Sequence, residues 1–92
     1  MQIHVLFTAQ LKDAAGAAGQ MIDLPDQSTV RHLLTEIGQM HGERLRAMLF
    51  DSEGELLPSI LLCLGNEQIS IDHASLLSDG DELMLLSAIS GG

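Results

Sequence analysis

The sequence has very few aromatic residues: no tryptophan, no tyrosine and two phenylalanines, Phe7 and Phe50. Hydrophobic residues nevertheless make up 46% of the 92 positions, which excludes an intrinsically disordered chain. The interior of the folded protein must therefore be built from aliphatic side chains. A chain of this length has room for one domain and one core.

Basic residues are also scarce, because four lysines and arginines stand against thirteen acids, which gives a formal net charge of −9. A surface of this sign repels phosphate groups, so nucleic acid is not an expected partner. The charge favours a protein partner with a basic docking face, because complementary charge speeds encounter. Solubility alone is the other explanation of the charge.

The chain has one cysteine, Cys63, which excludes an internal disulfide and a CxxC metal or redox site. Because it lies in the apolar run 60–64, we interpret Cys63 as a small core residue. No apolar run approaches the roughly 18 residues that span a membrane, and the first residues lack the basic region of a signal peptide. We therefore expect a soluble cytoplasmic protein with no membrane partner.

The folded part of the chain shows no convincing catalytic or metal centre. The histidines are scattered over different elements, without the i, i+4 spacing of a metal site: His4, His32, His41 and His73. An Asp-Gly turn explains the acidic segment 79–82 without a bound cation. We expect no bound metal or cofactor.

The first quarter of the chain predicts a hairpin of two strands. Apolar residues alternate along 2–8, which indicates a strand with one apolar face. A short helical turn is expected over 9–15, and a second strand over 20–24.

The segment after this hairpin predicts the main helix. Ser28 or Thr29 can cap its start, since either hydroxyl can accept a backbone N–H, and Gly42 ends it. Apolar residues follow the i, i+3, i+4, i+7 pattern at Val30, Leu33, Leu34, Ile37 and Met40 or His41. The segment 44–50 fits either a short helix or a strand.

The second half of the chain predicts two strands that are apolar on both faces, 60–64 and 82–86, with a short strand around 68–70 between them. Alternate residues of these strands point to opposite faces of the sheet. One face is expected to carry Leu62, Leu64, Met84 and Leu86, and the other Leu61, Cys63, Leu83 and Leu85. Either orientation leaves aliphatic side chains on the side of the sheet away from the helix. Such a patch usually marks a partner site.

The order of the elements predicts an α+β protein with the β-grasp (ubiquitin-like) fold. In this fold one main helix packs on one face of a mixed sheet of four to five strands, and the helix provides the crossover that a parallel strand pair requires. We assign residues 1–86 to the domain and 87–92 to a flexible C-terminal tail, since the tail has too little apolar content to pack.

The tail ends in Gly91 and Gly92, and glycines have a physical use there. Without a Cβ, they can enter a narrow cleft and leave the terminal carboxylate unshielded. A carboxylate is a poor electrophile, so acyl chemistry at this group needs activation by a partner enzyme.

Segments at both ends of the chain resemble one family of small proteins. Residues 6–16, Leu-Phe-Thr-Ala-Gln-Leu-Lys-Asp-Ala-Ala-Gly, resemble the opening of the MoaD family, the small subunits of molybdopterin synthase. Residues 77–83, Leu-Ser-Asp-Gly-Asp-Glu-Leu, and 88–92, Ala-Ile-Ser-Gly-Gly, resemble the closing segment that MoaD shares with ThiS-type thiamin sulfur carriers. With Ser28-Thr29-Val30 at the helix start, the likeness covers essentially the whole chain.

The resemblance implies that a ubiquitin-activating-type adenylyltransferase, which uses ATP, adenylates Gly92, and that the adenylate is then converted to a thiocarboxylate. Gly91, Ser90 and Ile89 would thread into the active site of the molybdopterin synthase large subunit, which receives the sulfur. The chain itself would be a carrier without catalysis of its own. The family's partner contacts would fall near three residues, Thr8, Ile69 and Leu86, and the apolar pattern adds Met84 to this interface.

Two features differ from the usual molybdopterin carriers: Ser87-Ala88 stand where those carriers have prolines, and the segment 53–59 is longer. The alternatives are therefore a sulfur carrier of another pathway (thiamin, cysteine or another thio-metabolite) and a ubiquitin-like modifier joined through Gly92 to lysines of other proteins. A third is a binding module with an incidental tail, for which loss of Gly92 changes nothing.

Overall fold

The computed structural model describes residues 1–74 and 76–87, which form one mixed sheet with three helices. The elements run along the chain as β1 (Gln2–Phe7), α1 (Ala9–Ala15), β2 (Gly19–Asp23), α2 (Val30–His41), α3 (Glu43–Leu49), β3 (Ile60–Leu64), β4 (Glu67–Ile69) and β5 (Glu82–Ser87). The spatial order of the strands is β2-β1-β5-β3-β4. Strands β1 and β5 are parallel at the centre, and every other neighbouring pair is antiparallel.

The main helix forms where the sequence predicts it. Thr29, rather than Ser28, caps α2: its hydroxyl accepts the N–H of His32 at 3.1 Å. The Ser28 hydroxyl is buried and donates instead to the Pro25 carbonyl at 2.6 Å. At the other end of the helix the half-buried position is His41, which meets the Phe7 ring edge-on, whereas Met40 is exposed.

The ambiguous segment is a helix, so the sheet is covered by three helices instead of one main helix and a helical turn. Leu45 and Leu49 stand four residues apart, and both are fully buried, which is the spacing of one helical face. After α3, Phe50 makes only an isolated bridge with Leu56.

One aliphatic core lies between the helices and one face of the sheet. It contains a single aromatic residue, Phe7, as the composition requires. The other core residues are Ile3, Val5, Leu11, Ile22, Leu24, Val30, Leu33, Leu34, Ile37, Leu45, Leu49, Ile60, Leu62, Leu77, Leu83 and Leu85. All three helices contribute to this cluster, so they pack on the same side of the sheet, and no helix among residues 1–74 and 76–87 covers the other side.

The segment between β4 and β5 is tied to α2 by an ion pair. Arg31 donates from Nη2 to Asp72 Oδ1 at 2.7 Å, and Glu55 Oε2 lies 3.9 Å from the same nitrogen. The hydrogen bond to Asp72 is the largest cause of the raised pKa of Arg31, so the guanidinium stays charged. Within residues 1–74 and 76–87, no helix has the length and apolar content needed to cross a membrane.

Candidate functional site: the uncovered sheet face and the end of β5

The predicted acyl site lies outside the described residues. Gly92, Gly91, Ser90 and Ile89 all follow Ser87, the last residue of β5. The structure therefore describes the strand from which this segment continues and the surface beside it.

Strand β5 is held on both sides close to its end. On one side Ser87 pairs with Ile60 of β3, in an antiparallel register. On the other side the parallel register with β1 ends at the pair Phe7 and Leu85. The C-terminal segment thus continues from a strand in the middle of the sheet, which its two neighbours hold as far as Leu85 and Ser87.

The uncovered face of the sheet carries a patch of half-buried apolar side chains, which we call the open-face patch: Leu6, Leu61, Cys63, Met84 and Leu86. The strand registers place Leu6 beside Met84, and Met84 beside Cys63. Leu86 stands beside Leu61 in the next row. An apolar patch formed by three adjacent central strands is a suitable docking surface for a protein partner.

Gly19 of β2 continues the central row beyond Leu6. A Cβ built at Gly19 would lie 3.0 Å from His4 Nε2 and 3.1 Å from Leu6 Cδ2. The glycine therefore leaves the space that these two side chains occupy on the open face. His4 Nδ1 also lies 3.4 Å from Glu82 Oε2, so a polar pair borders the apolar patch.

Met84 and Leu86 lie on the uncovered face of the sheet, but the placement of Ile69 on that face, which the resemblance implied, is wrong. Ile69 pairs with Leu62, which is buried on the helix side, and Ile69 packs against the core. Thr8 follows β1 and is half-buried beside β5, where its hydroxyl donates to the Leu85 carbonyl at 3.0 Å. The structure thus brings Thr8, Met84 and Leu86 to neighbouring positions and separates Ile69 from them.

The expected grouping of Leu62 and Leu64 with Met84 and Leu86 is also wrong. The register of β3 and β5 pairs Leu62 with Leu85, so Leu62 faces the helices. Both strands are apolar on both faces, so their sequences carry no alternation that could fix this register. The patch also includes Leu6 and Leu61, of which the sequence could have identified only Leu6. The alternation of β1 sets Leu6 opposite the buried residues of that strand.

Cys63 is not a core residue, because it is half-buried on the open face, opposite Leu62. Free thiols are often buried, but here the strand register decides the side on which the thiol stands.

We expect Cys63→Ala to cost less than about 1 kcal/mol in the free energy of unfolding, because a half-exposed thiol buries little apolar area. Leu62→Ala, one residue earlier in β3, is the matched control and should cost about 2 to 5 kcal/mol. Urea unfolding of both variants measures the difference. An equal loss of unfolding free energy in the two variants would show that Cys63 is a core residue.

Potential metal-ligating side chains are spread out over the part of the chain that the structure describes. There, no three histidine, cysteine, aspartate or glutamate side chains cluster closely enough to hold an ion. Asp79 and Asp81 have structural roles: Asp79 Oδ1 accepts the Gln2 N–H at 2.7 Å, and Asp81 Oδ2 accepts the Ser78 N–H at 2.9 Å.

Sequence comparison finds similar proteins over almost the whole length of the chain. The sequence profile of the ThiS family matches residues 5–92. The chain is 29% identical to the molybdopterin synthase sulfur carrier subunit of Chlamydomonas reinhardtii over 92 residues, which is 100% of both chains.

Solved structures share the fold over the full length. SAMP1, the small archaeal modifier protein 1 of Haloferax volcanii, superposes with a TM-score of 0.89 at 26% identity, and the match covers 100% of both chains. A chain from the complex of subunits 1 and 2 of the molybdopterin-converting factor of Helicobacter pylori 26695 gives a TM-score of 0.61 at 24% identity, with 100% of each chain covered. The predicted β-grasp fold is confirmed, and the chain belongs to the ThiS family of ubiquitin-like sulfur carriers.

Proposed function

We propose that this protein carries sulfur as a thiocarboxylate on Gly92, and that it does so as the small subunit of a molybdopterin synthase. The observation that supports this most directly is the match of the ThiS family profile, which continues through the Gly-Gly end to residue 92. The full-length similarity to a molybdopterin synthase sulfur carrier subunit favours the molybdopterin pathway over the thiamin and cysteine pathways.

The proposed chemistry begins with activation of the Gly92 carboxylate. A carboxylate oxygen attacks the α-phosphorus of ATP on a ubiquitin-activating-type adenylyltransferase, and pyrophosphate leaves. A sulfide equivalent from a sulfur donor then attacks the acyl carbon and AMP leaves, so Gly92 ends in a thiocarboxylate. In this scheme the chain supplies the acyl group, whereas ATP and the catalytic groups belong to its cytoplasmic partner.

The proposed docking surface is the open-face patch. Its central row, formed by Leu6, Met84 and Cys63, crosses the strand that leads to the tail. A partner on this face would therefore hold the domain while its active site takes the tail. The Helicobacter pylori structure, a complex of two subunits of the molybdopterin-converting factor, supports a large subunit as one such partner.

The similarity to SAMP1 favours a second candidate function, a ubiquitin-like modifier. Both functions use the same adenylate at Gly92 and differ only in the nucleophile that follows. A sulfide equivalent gives the carrier, and a lysine amine of another protein gives the modifier.

Reconstitution separates these functions. The chain is incubated with a ThiS-family activating enzyme and ATP, with sulfide present or absent, and its intact mass is then measured. We expect the carrier mass to rise by the difference between sulfur and oxygen, and we expect the product to lose this increment when a molybdopterin synthase large subunit and its pyranopterin substrate are added.

Two results would contradict this proposal. A product without the sulfur increment, but with adducts on lysines of added proteins, would assign the chain to the modifiers. A thiocarboxylate that forms but never loses its sulfur to the large subunit would assign it to another sulfur pathway.

A further inference from the structure

Thr8 stands at the start of α1 but does not cap that helix with its side chain. It occupies the N-cap position with extended backbone, φ −121° and ψ 153°, and it makes no side-chain capping hydrogen bond. Threonine is a favoured N-cap residue because its hydroxyl can accept a free backbone N–H of the first turn. At Thr8 the hydroxyl is used for another purpose.

The Thr8 hydroxyl reaches across to β5. It donates to the Leu85 carbonyl at 3.0 Å, and the two residues are 77 positions apart in the chain. Four residues before Leu85, the Asp81 carbonyl likewise accepts a hydrogen bond from β1, donated by the His4 N–H at 2.9 Å. The hydroxyl thus continues the hydrogen bonding between β1 and β5 past Phe7, the last residue of β1.

The next residue is in an unfavourable conformation. Ala9 has φ 51°, in the left-handed region that residues with a Cβ rarely adopt. The chain therefore accepts a strained residue and an uncapped helix start side by side, and both adjoin the hydrogen bond to Leu85. Local costs that gather at one place usually indicate a functional requirement on its geometry.

We infer that Thr8 is a positioning residue: its hydrogen bond to the Leu85 carbonyl holds the end of β5, from which the chain continues to the proposed acyl site. This inference rests on the proposed sulfur-carrier function. The Ser87 and Ile60 pair holds β5 on the β3 side, and Thr8 holds it on the β1 side. Leu85 is fully buried, so its carbonyl needs a partner inside the protein.

A fixed end of β5 matters because the acyl group must meet an ATP bound by another protein. Holding reacting groups in the correct geometry provides much of a catalysed rate, and a misplacement of about 1 Å can cost on the order of a hundredfold. Loss of the Thr8 hydrogen bond should therefore slow the chemical step. Binding should persist, since the open-face patch remains intact.

The test compares Thr8→Val, which keeps the shape but loses the hydroxyl, with Thr8→Ser, which keeps the hydroxyl. ATP–pyrophosphate exchange with the activating enzyme gives kcat and the KM for the carrier. We expect Thr8→Val to lower kcat about tenfold at an unchanged KM, and Thr8→Ser to restore it. In the free protein, amide hydrogen exchange at Leu86 and Ser87 should be faster in Thr8→Val than in the wild type, whereas Thr8→Ser should keep the wild-type rate.

A Thr8→Val variant with wild-type kcat would overturn the inference. A raised KM at constant kcat would also overturn it, because Thr8 would then be a contact residue. If the wild-type protein supports no ATP–pyrophosphate exchange, the sulfur-carrier proposal fails instead. The hydrogen-exchange comparison of the free variants then still decides whether Thr8 holds the end of β5, and equal rates would show that it does not.

Discussion

Removal of Gly92 is expected to abolish adenylation, while the thermal melt of the protein stays unchanged. The deletion moves the terminal carboxylate back by one residue, so the acyl group no longer reaches the ATP in the activating enzyme. The deletion leaves the core residues that the structure describes in place, because they lie between Ile3 and Leu85. ATP–pyrophosphate exchange measures activation, and a melt followed by circular dichroism measures the fold.

Ser90→Ala is the matched control for this deletion, since it alters the same segment but keeps the length of the chain. We expect it to retain exchange activity, because the carboxylate and both terminal glycines remain in place. Adenylation that survives deletion of Gly92 would contradict the carrier and modifier proposals alike, because both place the activated carboxylate on Gly92.

Met84→Glu is expected to leave the protein folded but to weaken its binding to the activating enzyme and to the large subunit by several kcal/mol. Met84 is half-buried at the centre of the open-face patch, so a glutamate there can still reach water in the free protein. In a complex, the same carboxylate would be buried among apolar groups without a partner. Titration calorimetry with each partner, together with a melt of the free variant, measures both effects.

Leu85→Glu provides the control, because Leu85 is the next residue of β5 and points into the core, where it is fully buried. A carboxylate at that position should unfold the domain. The two neighbouring substitutions thus separate docking from folding on one strand. Undiminished affinity of Met84→Glu for both partners would show that they dock on another surface.

Local pattern was sufficient to predict the elements that have one apolar face. The alternation in β1 and the helical spacing of α2 each identify the element and its buried side. Between 44 and 50 the apolar residues fit a short helix as well as a strand. Only the packing of Leu45 and Leu49 into the core decides for the helix.

The sequence could not decide how the strands of the second half face the core. In β3 all five residues are apolar, so either side could be buried, and pairing with β5 determines that Leu62 is inside and Cys63 outside. Ile69 was placed on the open face by the resemblance alone, and β4 has only three residues, too few for a pattern to correct that placement. The placement of partner residues on these strands depends on long-range register.

The assignment of chemistry to Gly92 came from the end motifs and the resemblance, and it stays a prediction. The domain alone cannot separate a carrier from a modifier, because a sulfur carrier subunit at 29% identity and a modifier at 26% identity both match over the whole chain. The difference lies in the nucleophile that receives the acyl group. That nucleophile belongs to other proteins.

Strand β5 is the last element that the structure describes along the chain, yet it lies in the middle of the sheet, between β1 and β3. A ribosome must therefore release nearly the whole domain before the sheet can close, since β1 has no parallel neighbour until β5 emerges. Pairing across such a sequence separation is slow compared with local helix formation. Because the strand that completes the sheet precedes the proposed acyl site, newly made chains should become substrates for the proposed activation only once they have folded.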